Sequence, residues 1–134
     1  MQLDTELEQI IRKDYQKNHQ GREYSLDTVV KVWQNLESVD YHARRYGLVA
    51  IVYKPYSDDT VEFHCTNSGR AGDLIKAVNE FNKEMTESYS HSVTFYDNPK
   101  INELLMHSYC PSEFTRIDQG IDKTYQAKFR LRSI

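Results

Sequence analysis

Residues 63–78, FHCTNSGRAGDLIKAV, concentrate the groups of this chain that could do chemistry. A thiol follows an imidazole at His64-Cys65, Gly69 and Gly72 flank Arg70, and a helical apolar pattern resumes at Leu74 and Ile75. A cysteine whose thiolate is favoured by nearby positive charge can attack an electrophile. A loop of small residues opening a helix can instead bring bare amides and the positive end of the helix dipole up to a phosphate. A third reading needs no ligand: the glycines simply permit a tight strand-to-helix connection. Just upstream, Glu62 and His64 alternate onto one face of an extended run, with Val61, Phe63 and Cys65 on the other. Glu62 or His64 could remove a proton from a substrate if their face lines a cleft, or the two could form a solvated strand face. Cys65, on the apolar side, reads as a small buried hydrophobe.

The elements that must position these groups follow from periodicity. Leu7, Ile10, Ile11 and Tyr15 recur at helical spacing over 4–17, with Thr5 and Glu8 as a capping box. From Ser25 a second helix carries Leu26, Val29, Val30, Trp33 and Leu36 on one stripe, which makes Trp33 a core anchor. At Gly47 the period changes. LVAIVY (48–53) and TVEFHC (60–65) read as a hairpin around KPYSDD, and the glycine loop then opens a helix carrying Leu74, Ile75, Val78, Phe81 and Met85. SVTFYD (92–97) is another strand. Asn98 and Pro99 suit the start of a helix bearing Ile101, Leu104 and Leu105, with Pro111 at or just beyond its end. EFTRI (113–117) and KTYQAKFRL (123–131) close the chain as a hairpin with Tyr125, Ala127, Phe129 and Leu131 inward.

Two families resemble the opening stretch. Cysteine phosphatases share the His-Cys, the glycine loop and the arginine, but they place five residues between Cys and Arg. Here only Thr66 to Gly69 intervene, and Ala71 stands where they have Ser or Thr. From residue 48 onward the order of elements resembles the GNAT superfamily of acyl-CoA-dependent N-acetyltransferases, whose coenzyme loop reads Gln or Arg, two residues, Gly, one residue, then Gly or Ala. Gly69 and Ala71 match; Thr66 departs. The resemblance implies that the stretch Asn67, Ser68, Gly69, Arg70, Ala71 and Gly72 holds the pyrophosphate of acetyl-CoA. It implies that Asn98 lies beside the pantetheine arm and that Glu62 or His64 serves as general base. For the tyrosine that protonates the leaving thiolate it offers Tyr109, counting back from Phe114, although counting from Asn98 leads to Leu105 and Glu113 replaces a glycine. The family usually begins with a strand, whereas this chain starts on its helices. Shortened GNAT-like proteins of tailed bacteriophages, including a small internal virion protein, resemble it in size and in their degenerate motif.

Composition bounds the rest. The 134 residues suit one domain, 39% hydrophobic and 28% charged, with a net charge of −3 that gives no broad basic footprint for nucleic acid. Two cysteines and five scattered histidines supply neither a disulfide framework nor a metal-binding pattern, so no metal is expected. With no apolar run of membrane length and an acidic start unlike a signal peptide, the expected location is the cytoplasm, or a virion if phage-encoded. The expected fold is a single α+β domain over 1–134, with a helical part (1–40) and a sheet and coenzyme-loop core (47–134). Its sheet is mixed, mainly antiparallel and flanked by helices, in a truncated GNAT-like form. The expected function is acyl transfer from acetyl-CoA to an amine; the alternative is a noncatalytic virion or host-interaction protein that keeps the fold and binds a protein partner.

Overall fold

The apolar stripe at Leu7, Ile10 and Ile11 is buried along one face of α1 (Thr5–Asn18). Thr5 is already helical, so the expected capping box does not start this helix; Glu8 pairs with Arg12 one turn on, at 2.8 Å. Ser25 does cap α2 (Leu26–Gln34), its Oγ accepting the Thr28 amide at 3.2 Å. The computed structural model describes residues 5–18, 25–96, 99–109, 114–118 and 125–131. The chain divides into two units, Met1–Lys54 with Cys65–Ala77, and Pro55–His64 with Val78–Ile134.

In the first unit, Val30, Trp33 and Leu36 pack with Leu7, Ile10, Ile11, Ala50 and Val52. Leu36 belongs to a short 3-10 turn, Leu36–Val39, after which the chain enters β1 (His42–Tyr46). This strand was not expected. It turns back at Gly47, whose φ of +60° is cheap only for glycine, and pairs antiparallel with β2 (Val49–Pro55) from His42↔Tyr53 to Tyr46↔Val49. The strand order here is β1-β2-β3, where β3 is Thr60–Asn67. Val49, Ala50 and Ile51 are wholly buried, which explains why β2 reads as a continuous apolar run.

In the second unit the order is β3-β4-β6-β5. The turn at 56–59 is held by Asp59, whose carboxylate accepts from Thr60 Oγ1 and Ser57 Oγ; those bonds lower its pKa below the usual carboxylate value. After β3 comes α3 (Ala71–Met85), a crossover helix leading to β4 (His91–Tyr96). β4 lies parallel to β3, as a strand-helix-strand connection demands. The parallel ladder pairs Thr60↔His91, Val61↔Ser92 and Glu62↔Val93, and ends there. α4 (Pro99–Ser108) precedes the hairpin of β5 (Phe114–Asp118) and β6 (Tyr125–Arg130), and β6 pairs antiparallel with β4 from His91↔Arg130 to Tyr96↔Tyr125. The core of this unit centres on Phe63, whose ring lies 5.0 Å from Phe81 and 6.0 Å from Phe129, centroid to centroid. The fold is thus α+β, with the mixed, mainly antiparallel sheet that the sequence predicts.

Candidate functional site

The glycine loop connects β3 to α3, and its amides are mostly spent inside the protein. Asn67 N–H donates to Asp14 Oδ1 at 3.2 Å, and Ser68 donates through both N–H and Oγ to the Leu48 carbonyl, at 2.9 and 2.7 Å. Gly69 N–H donates to Asn67 Oδ1 at 2.8 Å, and Arg70 N–H to Asp73 Oδ2 at 2.8 Å. The Leu74 amide closes the first helical bond on the Arg70 carbonyl, so Ala71, Gly72 and Asp73 form the first turn, where amides have no intrahelical acceptor. Beyond its chain neighbours and its own helix backbone, no protein atom lies within 4 Å of where a Cβ on Gly72 would stand. Asp73 is the residue that sequence reasoning missed. An acid three residues past the helix cap is the signal that could have found it, because that position reaches back to the cap amide.

Gly69 is required by this same carboxylate: a Cβ there would stand 2.5 Å from Asp73 Oδ2 and 2.9 Å from its Cγ. Asp73→Ala should lower stability by about 0.5–1 kcal/mol through the lost cap and the lost charge at the helix start. Gly69→Ala should cost more in the native chain than in the Asp73→Ala background, so a double-mutant cycle by urea unfolding should be clearly non-additive. Additive effects would mean that the carboxylate does not fill this place.

Glu62 and His64 share a face of β3, as their spacing implies, and they touch. His64 Nε2 lies 2.9 Å from Glu62 Oε2, with the glutamate side chain 14% exposed and the histidine 38%. The carboxylate fixes the ring and selects the tautomer that carries its proton on Nε2, which makes Nδ1 the basic nitrogen. His64 stands just past Glu62↔Val93, the last rung of the parallel ladder.

Tyr109 follows α4 and is held elsewhere than a free acid would be. Its hydroxyl donates to Asn79 Oδ1, in the third turn of α3, at 2.6 Å, and its ring meets Phe129 edge-on at 5.0 Å. Asn98, Cys110, Glu113 and the side chain of Phe114 lie outside the described residues. Cys65 as a residue keeps partial exposure, yet burial of its thiol pushes the pKa up to about 12. At neutral pH it is protonated, the opposite of what a nucleophilic cysteine needs. Among the described residues no three His, Cys, Asp or Glu side chains gather as a metal site would require, and no helix is long and apolar enough to cross a membrane.

Strand order, the parallel β3–β4 step and the glycine loop opening α3 define a GNAT-like fold. The crystal structure of the Campylobacter jejuni N-acetyltransferase PseH matches it with a TM-score of 0.62 at 16% identity, covering 96% of this chain and 92% of that one. The same enzyme in complex with acetyl coenzyme A gives 0.61 at 15% identity, over 96% and 93%. The GNAT domain of S. lividans PAT aligns over 66% of this chain and 58% of that one, with a TM-score of 0.44 and 14% identity. No protein-family model and no curated protein matches the sequence. At these identities the likeness is one of fold, and with PseH it extends through the N-terminal helices. PseH is a bacterial protein and lends no support to a phage kinship.

Proposed function

We propose that this protein is an N-acetyltransferase that takes the acetyl group of acetyl-CoA and passes it to an amine. The observation that carries the proposal is the hydrogen-bonded Glu62–His64 pair at the end of the parallel ladder, because an imidazole oriented by a carboxylate is equipped to accept a proton. In this reading Glu62 holds Nε2–H and His64 takes the amine's proton at Nδ1 as the amine nitrogen bonds the thioester carbon. The carbon–sulfur bond then breaks, and Tyr109 exchanges its bond to Asn79 for one that protonates the thiolate.

The coenzyme loop fits in part. Bound acetyl-CoA supplies the activated acetyl group; the amides of Ala71 and Gly72 and the exposed Arg70 side chain are the groups of this chain suited to its pyrophosphate. Open space at Gly72 favours close approach. Asn67, Ser68 and Gly69 contribute by holding the turn. A second reading, a noncatalytic protein that keeps the fold and serves in a virion or host interaction, is favoured by one specific observation: the Asn67 and Asp73 side chains already occupy the amides of Gly69 and Arg70.

Thermal melting separates the two. Acetyl-CoA at about 100 times its dissociation constant should stabilise the protein by about 2.7 kcal/mol, a rise of several degrees. Gly72→Leu should abolish that rise without lowering the unliganded melting temperature, since the site is open and helical. No shift at millimolar acetyl-CoA in the native chain would sink the transferase reading and leave the noncatalytic one.

A further inference from the structure

Strand register sets a carboxylate, an apolar residue and an ammonium in one row of the second unit. Cα partners on neighbouring strands turn their side chains to the same face, so Glu62↔Val93 and Val93↔Lys128 place Glu62, Val93 and Lys128 side by side on β3, β4 and β6. The opposite face belongs to α3, where the Phe63 ring meets Phe81 and Ser92 Oγ donates to Asn82 Oδ1 at 2.7 Å. The row therefore lies on the face turned away from that helix. Val93, 1% exposed, is its apolar floor. Two residues further along β4, Phe95 falls on the same side, and its ring stands 6.2 Å from that of Tyr56, centroid to centroid. The two ends of the row are polar. At one, Glu62 Oε2 is engaged by His64 Nε2 at 2.9 Å; at the other stands half-buried Lys128, a point charge with three donors. Among the described residues no acid pairs with its ammonium.

A ligand that matches this row has an amine at one end, an anion at the other and carbon between them. Its length follows from sheet geometry. Strands about 4.8 Å apart that rise about 3.3 Å per residue put His64 and Lys128, two strands over and two residues along, about 12 Å apart at the backbone. Side chains stand roughly perpendicular to a sheet, and a charge-assisted contact takes about 3 Å at each end, which leaves about 6 Å between the ligand's nitrogen and its anion. About three methylenes between amine and carboxylate cover that span. We propose that the acceptor is a small amine whose short apolar chain ends in a carboxylate or phosphate, and that Lys128 holds this anion while the amine meets His64. That the ligand is an acceptor rests on the acetyl transfer proposed above; that the row binds it does not.

The test is nuclear magnetic resonance titration of the isotope-labelled full chain with γ-aminobutyrate, O-phosphoethanolamine and n-butylamine at equal ionic strength, which reads binding whether or not transfer occurs. At least one of the two anionic amines should bind about tenfold or more tightly than n-butylamine and move the signals of Val93 and Lys128; which of them binds better distinguishes a carboxylate from a phosphate. Lys128→Met keeps the length and apolar stem of the side chain and should bring that affinity down to the level of n-butylamine. Lys128→Glu should reverse the order, so that putrescine, with an amine at both ends, binds better than either anionic ligand. Both variants should melt near the native temperature. No binding by either anionic amine, binding no tighter than that of n-butylamine, or an affinity unchanged in Lys128→Met overturns the proposal. Binding as expected with no transfer from acetyl-CoA supports the row as a site and sinks only the transferase reading.

Discussion

His64→Gln should lower the rate of acetyl transfer by about 10²–10⁴-fold while leaving the melting temperature nearly unchanged. Glutamine fills similar space and can still donate an N–H to Glu62 Oε2, so the local geometry survives; what disappears is the basic ring nitrogen. The side chain is 38% exposed, and its loss removes little packing. Glu62→Gln should cost less. Its amide oxygen still accepts Nε2–H, but the negative charge that stabilises the imidazolium after proton transfer is gone, and the amide offers an alternative orientation in which it donates. The measurement is thiol release from acetyl-CoA with a panel of primary amines, at saturating concentrations of both substrates. A variant rate equal to the native one at every pH would remove His64 from the mechanism while leaving the coenzyme-binding test untouched.

The pair itself was half legible. Period-two alternation places Glu62 and His64 on one face, but alternation leaves successive side chains on a face free to diverge, and only the rotamers found in the fold bring Nε2 and Oε2 within 2.9 Å. Helices were readable because their stripes are buried as written: Val30, Trp33 and Leu36 share one cluster with Leu7, Ile10 and Ile11. β1 was not, because HARRY carries no apolar alternation. It is held by backbone pairing with β2, by Arg45 on Glu6, and by Arg44, whose Nε donates to the Tyr53 hydroxyl at 3.0 Å. An edge strand of this kind leaves a signature of charge, which in sequence looks like a loop. The loop showed its glycines but not its acceptors. Asp14 is 53 positions from the Asn67 amide it receives, and no local pattern reports a bond of that range.

Phe63→Ala should destabilise the protein by about 3–5 kcal/mol, the largest stability effect expected of any change near the site. Phe63 is 1% exposed and its ring meets two others, Phe81 at 0% and Phe129 at 2% exposure, so truncation leaves a cavity walled by large rings that cannot collapse into it. A domain of this size has roughly 5–15 kcal/mol in total, and a loss of this order takes about a fifth of it or more. Urea unfolding followed by far-UV circular dichroism reads the effect as a lower midpoint at unchanged slope. Phe63→Leu, which refills much of the space, should recover most of it. The consequence for function follows from strand geometry: Phe63 sits between Glu62 and His64 with its side chain on the opposite face, so its packing sets the line of β3 along which both groups are mounted. Phe63→Leu should therefore lower acetyl transfer more than it lowers stability. If instead Phe63→Ala unfolds at the native midpoint, the aromatic cluster does not anchor β3, and the placement of the Glu62–His64 pair needs another support.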